Sequence, residues 1–340
     1  MSDHVEIPLS AYRDQPVTVV GGMGFIGSTL ARALVLGGAR VTVVDSLHSQ
    51  HGGNPFNVAD VADRLDVQIL DASDAQAMRA HVRNRVVVFN LAGQVSHVDS
   101  MTEPAGDLGS NCGAALGVLE AIRLERSAAR VVYTSTRQVY GRSTGAPVDE
   151  SHPVRPIDIN GIHKVAAEEY HRLYGEVHGI SSVVLRLTNI YGPRQLLRHG
   201  RQGFVAWFVR LALLDQEIPL YAPGTQTRDF CYVDDAVDAI VRAGLRDCGP
   251  IEVFNVGGSD TTTLKAFTET LLRIAERGRL RLVEYPPDRK RIEIGSIEVA
   301  DQRLRSATGW RPIVNLEEGL TRMIAYYREH GPHYLSEDQG

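Results

Sequence analysis

A glycine turn set between an apolar strand and an amphipathic helix constrains this chain more than any other feature. Val17-Thr-Val-Val runs into Gly21-Gly-Met-Gly24-Phe25-Ile26-Gly27, a Gly-x-x-Gly-x-x-Gly spacing with one extra glycine at position 22. One glycine lets the strand turn sharply, a second lets backbone approach a pyrophosphate, and a third lets helix pack on strand. The phosphates then meet unpaired N–H groups at the positive end of the helix. Asp45 ends the next apolar run, where a carboxylate can accept hydrogen bonds from a ribose diol. Ser46-Leu47 follow it with no arginine, which favours NAD over NADP.

The runs Val17–Val20, Val41–Val44, Val67–Leu70, Val86–Phe89, Val131–Tyr133 and Val183–Leu187 are rich in β-branched residues and nearly continuous in apolar character. Such runs suit strands buried on both faces of a parallel sheet. Helical segments alternate with them: Phe25–Leu36, Ala75–Val82, Gly109–Arg126 and Gly161–His178. This order predicts an α/β fold, a Rossmann-like doubly wound parallel sheet with right-handed crossovers. After residue 187 the chain becomes irregular and richer in Pro and Gly, with helices expected near Gly203–Asp215, Asp234–Ala243, Leu264–Ala275 and Leu316–His330. The division expected is a cofactor domain of residues 15–187 plus about 228–257. A smaller C-terminal α/β substrate domain would take about 188–227 plus 258–335, with residues 336–340 a frayed tail.

A net charge of −5 gives no basic surface for a nucleic-acid backbone. No apolar run approaches the ~20 residues that cross a bilayer. Met1-Ser2-Asp3-His4 lacks the order of a signal peptide, so a cytoplasmic protein is expected. Three separated cysteines offer neither a disulfide framework nor a metal-ligand pattern, so no metal is expected.

Two further strand ends converge on the same cleft. Asp71-Ala72 closes the third strand, where a carboxylate reaches an adenine amino group. Asn90-Leu91-Ala92-Gly93 closes the fourth, where small residues permit close approach of a cofactor.

With these stand Asn111, Thr134-Ser-Thr136-Arg137-Gln138-Val-Tyr-Gly141, Lys164, Arg186-Leu-Thr-Asn189-Ile-Tyr-Gly-Pro-Arg194 and Thr227-Arg228-Asp-Phe-Cys-Tyr-Val-Asp-Asp235. Over nearly its whole length the chain resembles the extended short-chain dehydrogenase/reductase family, the NAD-dependent nucleotide-sugar epimerases and dehydratases. The resemblance implies bound NAD against Gly21, Gly24, Phe25, Ile26, Gly27, Asp45, Asp71, Ala72, Leu91, Ala92, Gly93, Asn111 and Lys164. It also implies a Tyr-x-x-x-Lys pair, in which the phenolate takes the sugar hydroxyl's proton while the lysine holds the nicotinamide ribose. Lys164 is present, one of only three lysines, but Asn160 stands in the tyrosine's place. A carboxamide cannot take up a proton near neutral pH.

Three replacements are open. His163 shares a helical face with Asn160 and titrates in the useful range. Lys164 would serve if burial lowered its pKa. Tyr140 or Tyr191 would serve by swinging in from a neighbouring loop. The plainer alternative has Asn160 capping the helix and His163 in solvent.

Thr136 matches the family's Ser/Thr that hydrogen-bonds the reacting hydroxyl. Sugar dehydratases of this kind follow that threonine with Asp-Glu, and related decarboxylases carry a Glu two residues on; Arg137-Gln138 supply neither acid. By subtraction the expected reaction is epimerisation, most plausibly at C4 of a UDP-hexose or UDP-hexuronate. The family's diphosphate contacts fall on Asn189, Arg228 and Arg291, and Arg suits phosphate through its planar fork. Ile292-Glu293-Ile294 follows Arg291 in place of the family's Gly-Asp pair. Gln94, Ser96 and His97 follow the fourth strand, where they would line the sugar pocket, and Arg137 would meet a substrate carboxylate. The alternatives carried are a dehydratase or decarboxylase, and a catalytically silent NAD or nucleotide-sugar sensor. A homodimer through the helices near Gly109–Arg126 and Gly161–His178 is the implied assembly.

Overall fold

The computed structural model describes residues 7–48, 51–142, 147–200 and 203–335. The expectations for the first four residues and for 336–340 lie outside the described residues. Seven strands form one parallel sheet: β1 (Pro16–Val20), β2 (Arg40–Asp45), β3 (Asp66–Ile69), β4 (Val87–Asn90), β5 (Arg130–Thr136), β6 (Ser182–Leu187) and, after three strands outside this sheet, β10 (Ile251–Val256). Their order is β10-β6-β5-β4-β1-β2-β3. Val17, Val19, Val43, Val88, Val132 and Val184 are fully buried, as strands covered on both faces require. The sequence of strands reverses beside β1, and a crevice opens there at the carboxyl ends of β1 and β4, the usual ligand position in such sheets.

Helices Phe25–Leu36 and Ala75–Val82 have the bounds read from the sequence. Gly109–Arg126 differs: it opens as a π-helical turn, Gly109–Gly113, and continues as an α-helix over Ala114–Glu125. Such turns carry more residues per turn than an α-helix and recur at functional sites. Two short helices, His97–Thr102 and Pro104–Leu108, precede it. The long helix Ile159–His178 begins two residues earlier than its apolar spacing suggested.

The remaining strands are β7 (Asn189–Tyr191), β8 (Glu217–Tyr221), β9 (Thr227–Tyr232), β11 (Asp260–Thr263) and β12 (Arg279–Val283). They form a three-stranded sheet, β11-β9-β7, and a two-stranded one, β12-β8. The chain therefore rejoins the large sheet later than residue 228, through helix Val233–Gly244 and β10, because Thr227–Tyr232 pairs with β7 and β11. Between β6 and β7 lies one residue, Thr188. Its amide donates to Val256 O at 3.2 Å and its hydroxyl binds the Asp229 carboxylate. No helix among the described residues is long and apolar enough to cross a membrane.

Candidate active site

The glycine turn is shaped by contacts no side chain could share. Gly21 has φ +76°, and a Cβ on it would come within 2.9 Å of the Ala92 amide nitrogen. A Cβ on Gly27 would strike the Gly21 carbonyl oxygen. Helix Phe25–Leu36 starts at Gly24 with no side-chain cap, so Phe25, Ile26 and Gly27 form an amide-lined first turn open to an anion. Asp45 fixes this geometry: its carboxylate accepts from the Met23 and Leu47 amides, each at 2.9 Å. Burial pushes its pKa up, and those two amides hold it back.

Gly21, Gly24, Asp45, Asp71, Ala72, Leu91, Ala92 and Gly93 line one cleft. Asp71 is exposed there and accepts from the Ser73 amide at 2.9 Å. His48 and His51, their rings stacked at 4.2 Å, also line it, and no motif pointed to them. A turn without Cβ atoms, a bare helix start and a carboxylate at the next strand end together fit a dinucleotide.

Lys164 and Asn111 close the inner end of this cleft. A Cβ on Gly93 would come within 2.6 Å of Asn111 Oδ1 and 3.0 Å of Lys164 Nζ. The Lys164 ammonium donates to Thr134 O at 3.1 Å and lies 5.0 Å from the centre of the Tyr133 ring. Burial lowers its pKa from 10.5 to about 8, with Asp107, Cys112 and Glu168 opposing. Asn111, fully buried in the π-helical turn, donates from Nδ2 to Gln94 O at 3.2 Å, and its Oδ1 is buried with no partner.

Asn160 does not cap its helix; Asp158 does, accepting from the Gly161 amide at 2.6 Å. The Asn160 carboxamide is buried and donates to Gln94 O at 2.8 Å and to Asp107 Oδ2 at 3.0 Å. His163 is not in solvent either. Its side chain is 13% exposed, and its Nδ1 lies 2.6 Å from Asp107 Oδ1. Asp107 itself, 2% exposed, is a site residue that sequence reasoning missed. The one signal for it was its place four residues before Asn111, on the same side of a helical stretch.

Neither tyrosine can swing in. Tyr140 is buried, donating to Asn255 Oδ1 at 2.7 Å and accepting from Arg186 at 2.9 Å. Tyr191 is fully buried with its hydroxyl against the Asn315 and Leu316 carbonyls. Burial raises the pKa of both phenols.

Thr136 starts a short 3-10 turn, Arg137–Tyr140, and its hydroxyl oxygen accepts from the Gln138 amide at 3.2 Å. Arg137 does not stand open for a carboxylate. It is buried, donating from Nη2 to Asn189 Oδ1 at 3.1 Å, with Nη1 3.5 Å from Asp229 Oδ1. Burial pulls its pKa down to about 10, Asp229 opposing, and pushes the Asp229 carboxyl up. Asn189 spends its own donor on Asp229 O at 2.8 Å.

Arg228 is likewise engaged. It donates to Gly295 O and to Glu293 Oε1, each at 2.5 Å. Glu293 also accepts from the Gly295 amide at 3.0 Å and from the Tyr285 hydroxyl at 2.6 Å. This carboxylate, the departure noted after Arg291, was not anticipated as a partner of Arg228. Arg291 is exposed, and its carbonyl is held by Arg142 at 2.6 Å.

Ser96 serves as a helix cap rather than a pocket wall: it is buried, and its hydroxyl accepts from the Asp99 amide at 3.1 Å. Gln94 is buried too, with Oε1 accepting from the Ser96 amide at 2.6 Å.

Comparison with known proteins agrees with this geometry. Residues 17–257 match the model of the NAD dependent epimerase/dehydratase family. The chain is 33% identical over 314 residues to the UDP-glucose 4-epimerase of Mycolicibacterium smegmatis, covering 91% of this chain and 97% of that protein. It is similar to the Thermotoga maritima UDP-glucose 4-epimerase solved with UDP-glucose, at 30% identity and TM-score 0.82, covering 92% of this chain and 99% of that one. A dTDP-glucose 4,6-dehydratase from Streptomyces venezuelae, solved with NAD, matches at 26% identity and TM-score 0.85, covering 94% of this chain and 98% of that one. The glycine turn, Asp45 and the extent of these matches lead to one conclusion: the chain is an NAD-dependent enzyme belonging to the epimerase/dehydratase family, within the extended short-chain dehydrogenases/reductases.

Proposed function

We propose that this enzyme is a nucleotide-sugar 4-epimerase acting on a UDP-hexose or UDP-hexuronate through a transient 4-keto intermediate. The observation that carries the reading is the pairing of Lys164, buried against Gly93, with Thr136 at the end of β5, followed by Arg137 and Gln138 in place of acids. Epimerisation asks for hydrogen removal, rotation of the ketone and return of the hydrogen to the other face; elimination of water or carbon dioxide asks for further acid–base groups.

Bound NAD supplies the acceptor, and then the donor, of the hydrogen that leaves the sugar carbon with its electron pair. The Lys164 ammonium, which lies beside Gly93, would hold the nicotinamide ribose, as a short-range donor does best in a dry site. The Thr136 oxygen accepts from Gln138 N, which leaves its own hydrogen to point at the sugar oxygen. Arg228, on exchange from Glu293, and Arg291 bind the substrate diphosphate, while Asn189 is held by Asp229 and Arg137. The relatives named for UDP-glucose 4-epimerisation favour UDP and a hexose. Cofactor binding belongs to residues 15–187 with helix Val233–Gly244 and β10, and the substrate to the rest.

The assembly is a homodimer. Ile162, Leu173 and Val177 are 49%, 48% and 63% exposed on one face of helix Ile159–His178, and Leu108 and Leu124 are exposed nearby in the chain's flanking helices. Apolar side chains in such a row mark a protein interface. The dimer acts in the cytoplasm.

A second reading, a silent sensor, is favoured by Asn160, whose carboxamide nitrogen is committed to Gln94 and Asp107. Incubating the NAD-loaded enzyme with UDP-glucose, UDP-galactose and UDP-glucuronate, and resolving products by NMR, tests the proposal. Interconversion of C4 epimers is the expected result. Release of carbon dioxide or a 4-keto-6-deoxy sugar establishes the lyase alternative, and tight binding with no turnover of any sugar establishes the sensor.

A further inference from the structure

Asn160 leaves the site without the usual proton acceptor, and a second histidine–carboxylate pair stands beside the turn that begins at Thr136. His97 opens the short helix His97–Thr102, and its Nδ1 lies 3.1 Å from Asp158 Oδ2. Asp158 is buried; one of its oxygens caps helix Ile159–His178 and the other faces His97. His97 beside it and the Gly161 amide hold its carboxyl below the usual range, although burial opposes them. The 3.1 Å approach is off the line of a hydrogen bond, but the negative charge of an ionised Asp158 beside Nδ1 still favours the tautomer with its hydrogen there and the lone pair on Nε2.

That nitrogen is 2.9 Å from the carboxamide nitrogen of Gln138, whose backbone amide donates to Thr136 Oγ1. The imidazole acceptor is thus directed at the turn that begins with Thr136. Gln138 Oε1 is buried with no partner, a state that native proteins rarely leave unfilled without a ligand or water. The His97 side chain is 34% exposed, so a solute can reach it. His163 also has a carboxylate at Nδ1, but its bonded neighbours, Asp107 and Cys112, belong to the 104–113 segment, and none belongs to the Thr136 turn.

We infer that His97, positioned by Asp158, is the group that accepts and returns the sugar hydroxyl's proton. The inference rests on the epimerase reading. The hydroxyl takes the place of the Gln138 carboxamide at Nε2. Its O–H bond breaks, the proton forms an N–H bond on His97, and the freed pair becomes the second C–O bond. The carbon's own hydrogen leaves with its electron pair to the oxidised dinucleotide. On return the proton goes back from Nε2 to the sugar oxygen, and Asp158 stabilises the imidazolium between the two events.

Two measurements on the NAD-loaded enzyme test this. In histidine-selective NMR, the His97 signal, identified by its loss in H97Q, should move with whichever of UDP-glucose, UDP-galactose and UDP-glucuronate binds most tightly, and not with UDP alone. In H97A, affinity for that sugar nucleotide should stay within about threefold while kcat falls about 100-fold or more, and added imidazole should restore turnover. A His97 signal that ignores the bound sugar, or an H97A enzyme with near-normal kcat, overturns the inference and leaves the epimerase reading standing. Failure of the wild-type enzyme to bind any of the three sugar nucleotides removes that reading and this inference with it.

Discussion

The carboxylate of Asp107 lies 2.6 Å from His163 Nδ1, and its second oxygen accepts from Asn160. One buried group therefore ties helix Pro104–Leu108 to the first turns of helix Ile159–His178, the helix that carries Lys164. Asn160 is part of this tie, its carboxamide nitrogen donating to the second oxygen of that carboxylate.

The first prediction concerns this tie. D107A leaves two buried donors without an acceptor, which costs about 1–3 kcal/mol for groups of this kind. Urea denaturation should show that loss. A change below about 0.5 kcal/mol, the range of ordinary surface substitutions, would show that the carboxylate holds nothing together.

Lys164 gives a pH dependence whose sign can be stated. Its folded-state pKa, about 8, lies below the ordinary 10.5 because burial disfavours the ammonium. Between those values the unfolded chain binds the proton more tightly than the fold does, so Lys164 makes stability rise with pH across that window. NAD binding, which uses the ammonium, should run the other way and weaken as pH passes about 8, by up to about tenfold per unit. Titration calorimetry of NAD into the stripped enzyme, wild type against K164M, checks this. The variant should bind weakly with a flat profile, and an unchanged slope in K164M sinks the assignment.

Glu293 already holds Arg228, the arginine proposed for the substrate diphosphate. The pair is mostly buried, with side-chain exposures of 7% for Arg228 and 24% for Glu293, so its interaction is little screened. E293Q weakens the internal partner and should tighten UDP binding by about tenfold, the equivalent of about 1.4 kcal/mol. Equal or weaker binding would mean that the carboxylate itself serves the nucleotide.

The apolar row on helix Ile159–His178 predicts an interface. A double variant, L173D with V177D, places two charges in it and should convert a dimer to a monomer in sedimentation velocity, with secondary structure retained. A wild-type monomer at micromolar concentration would refute the assembly.

Much of this was legible in the sequence, for a physical reason. Strands buried on both faces must be apolar throughout, so β1, β2, β5 and β6 announced themselves, and the glycine turn is dictated by contacts that exclude any Cβ. Lys164 and Thr136 were visible through their neighbours in sequence. The tie through Asp107 was not, because it joins residues 53 and 56 apart, from a short helix with little apolar periodicity to the long helix Ile159–His178. Nor was the neutralisation of Arg228, whose partner is 65 residues away. Sequence order shows which groups are present; long-range pairing decides which are already spent, as it does for Arg137 and Asn189.

At the first of its crossings from the seven-stranded sheet to the three-stranded one, the chain has a single residue, Thr188, between β6 and β7, and it is fastened on both sides, to Val256 and to Asp229. A hinge cannot operate at a joint with no slack. The outlying stretch from Tyr285 to Gly295 is held by Arg142, by the Arg228–Glu293 pair, by Tyr285 against Tyr221 and by Ile294 beside Val139 and Tyr140, and substrate entry that moves this stretch would leave the two sheets as one block. Changes of specificity over evolutionary time should accumulate in that stretch and spare the joint.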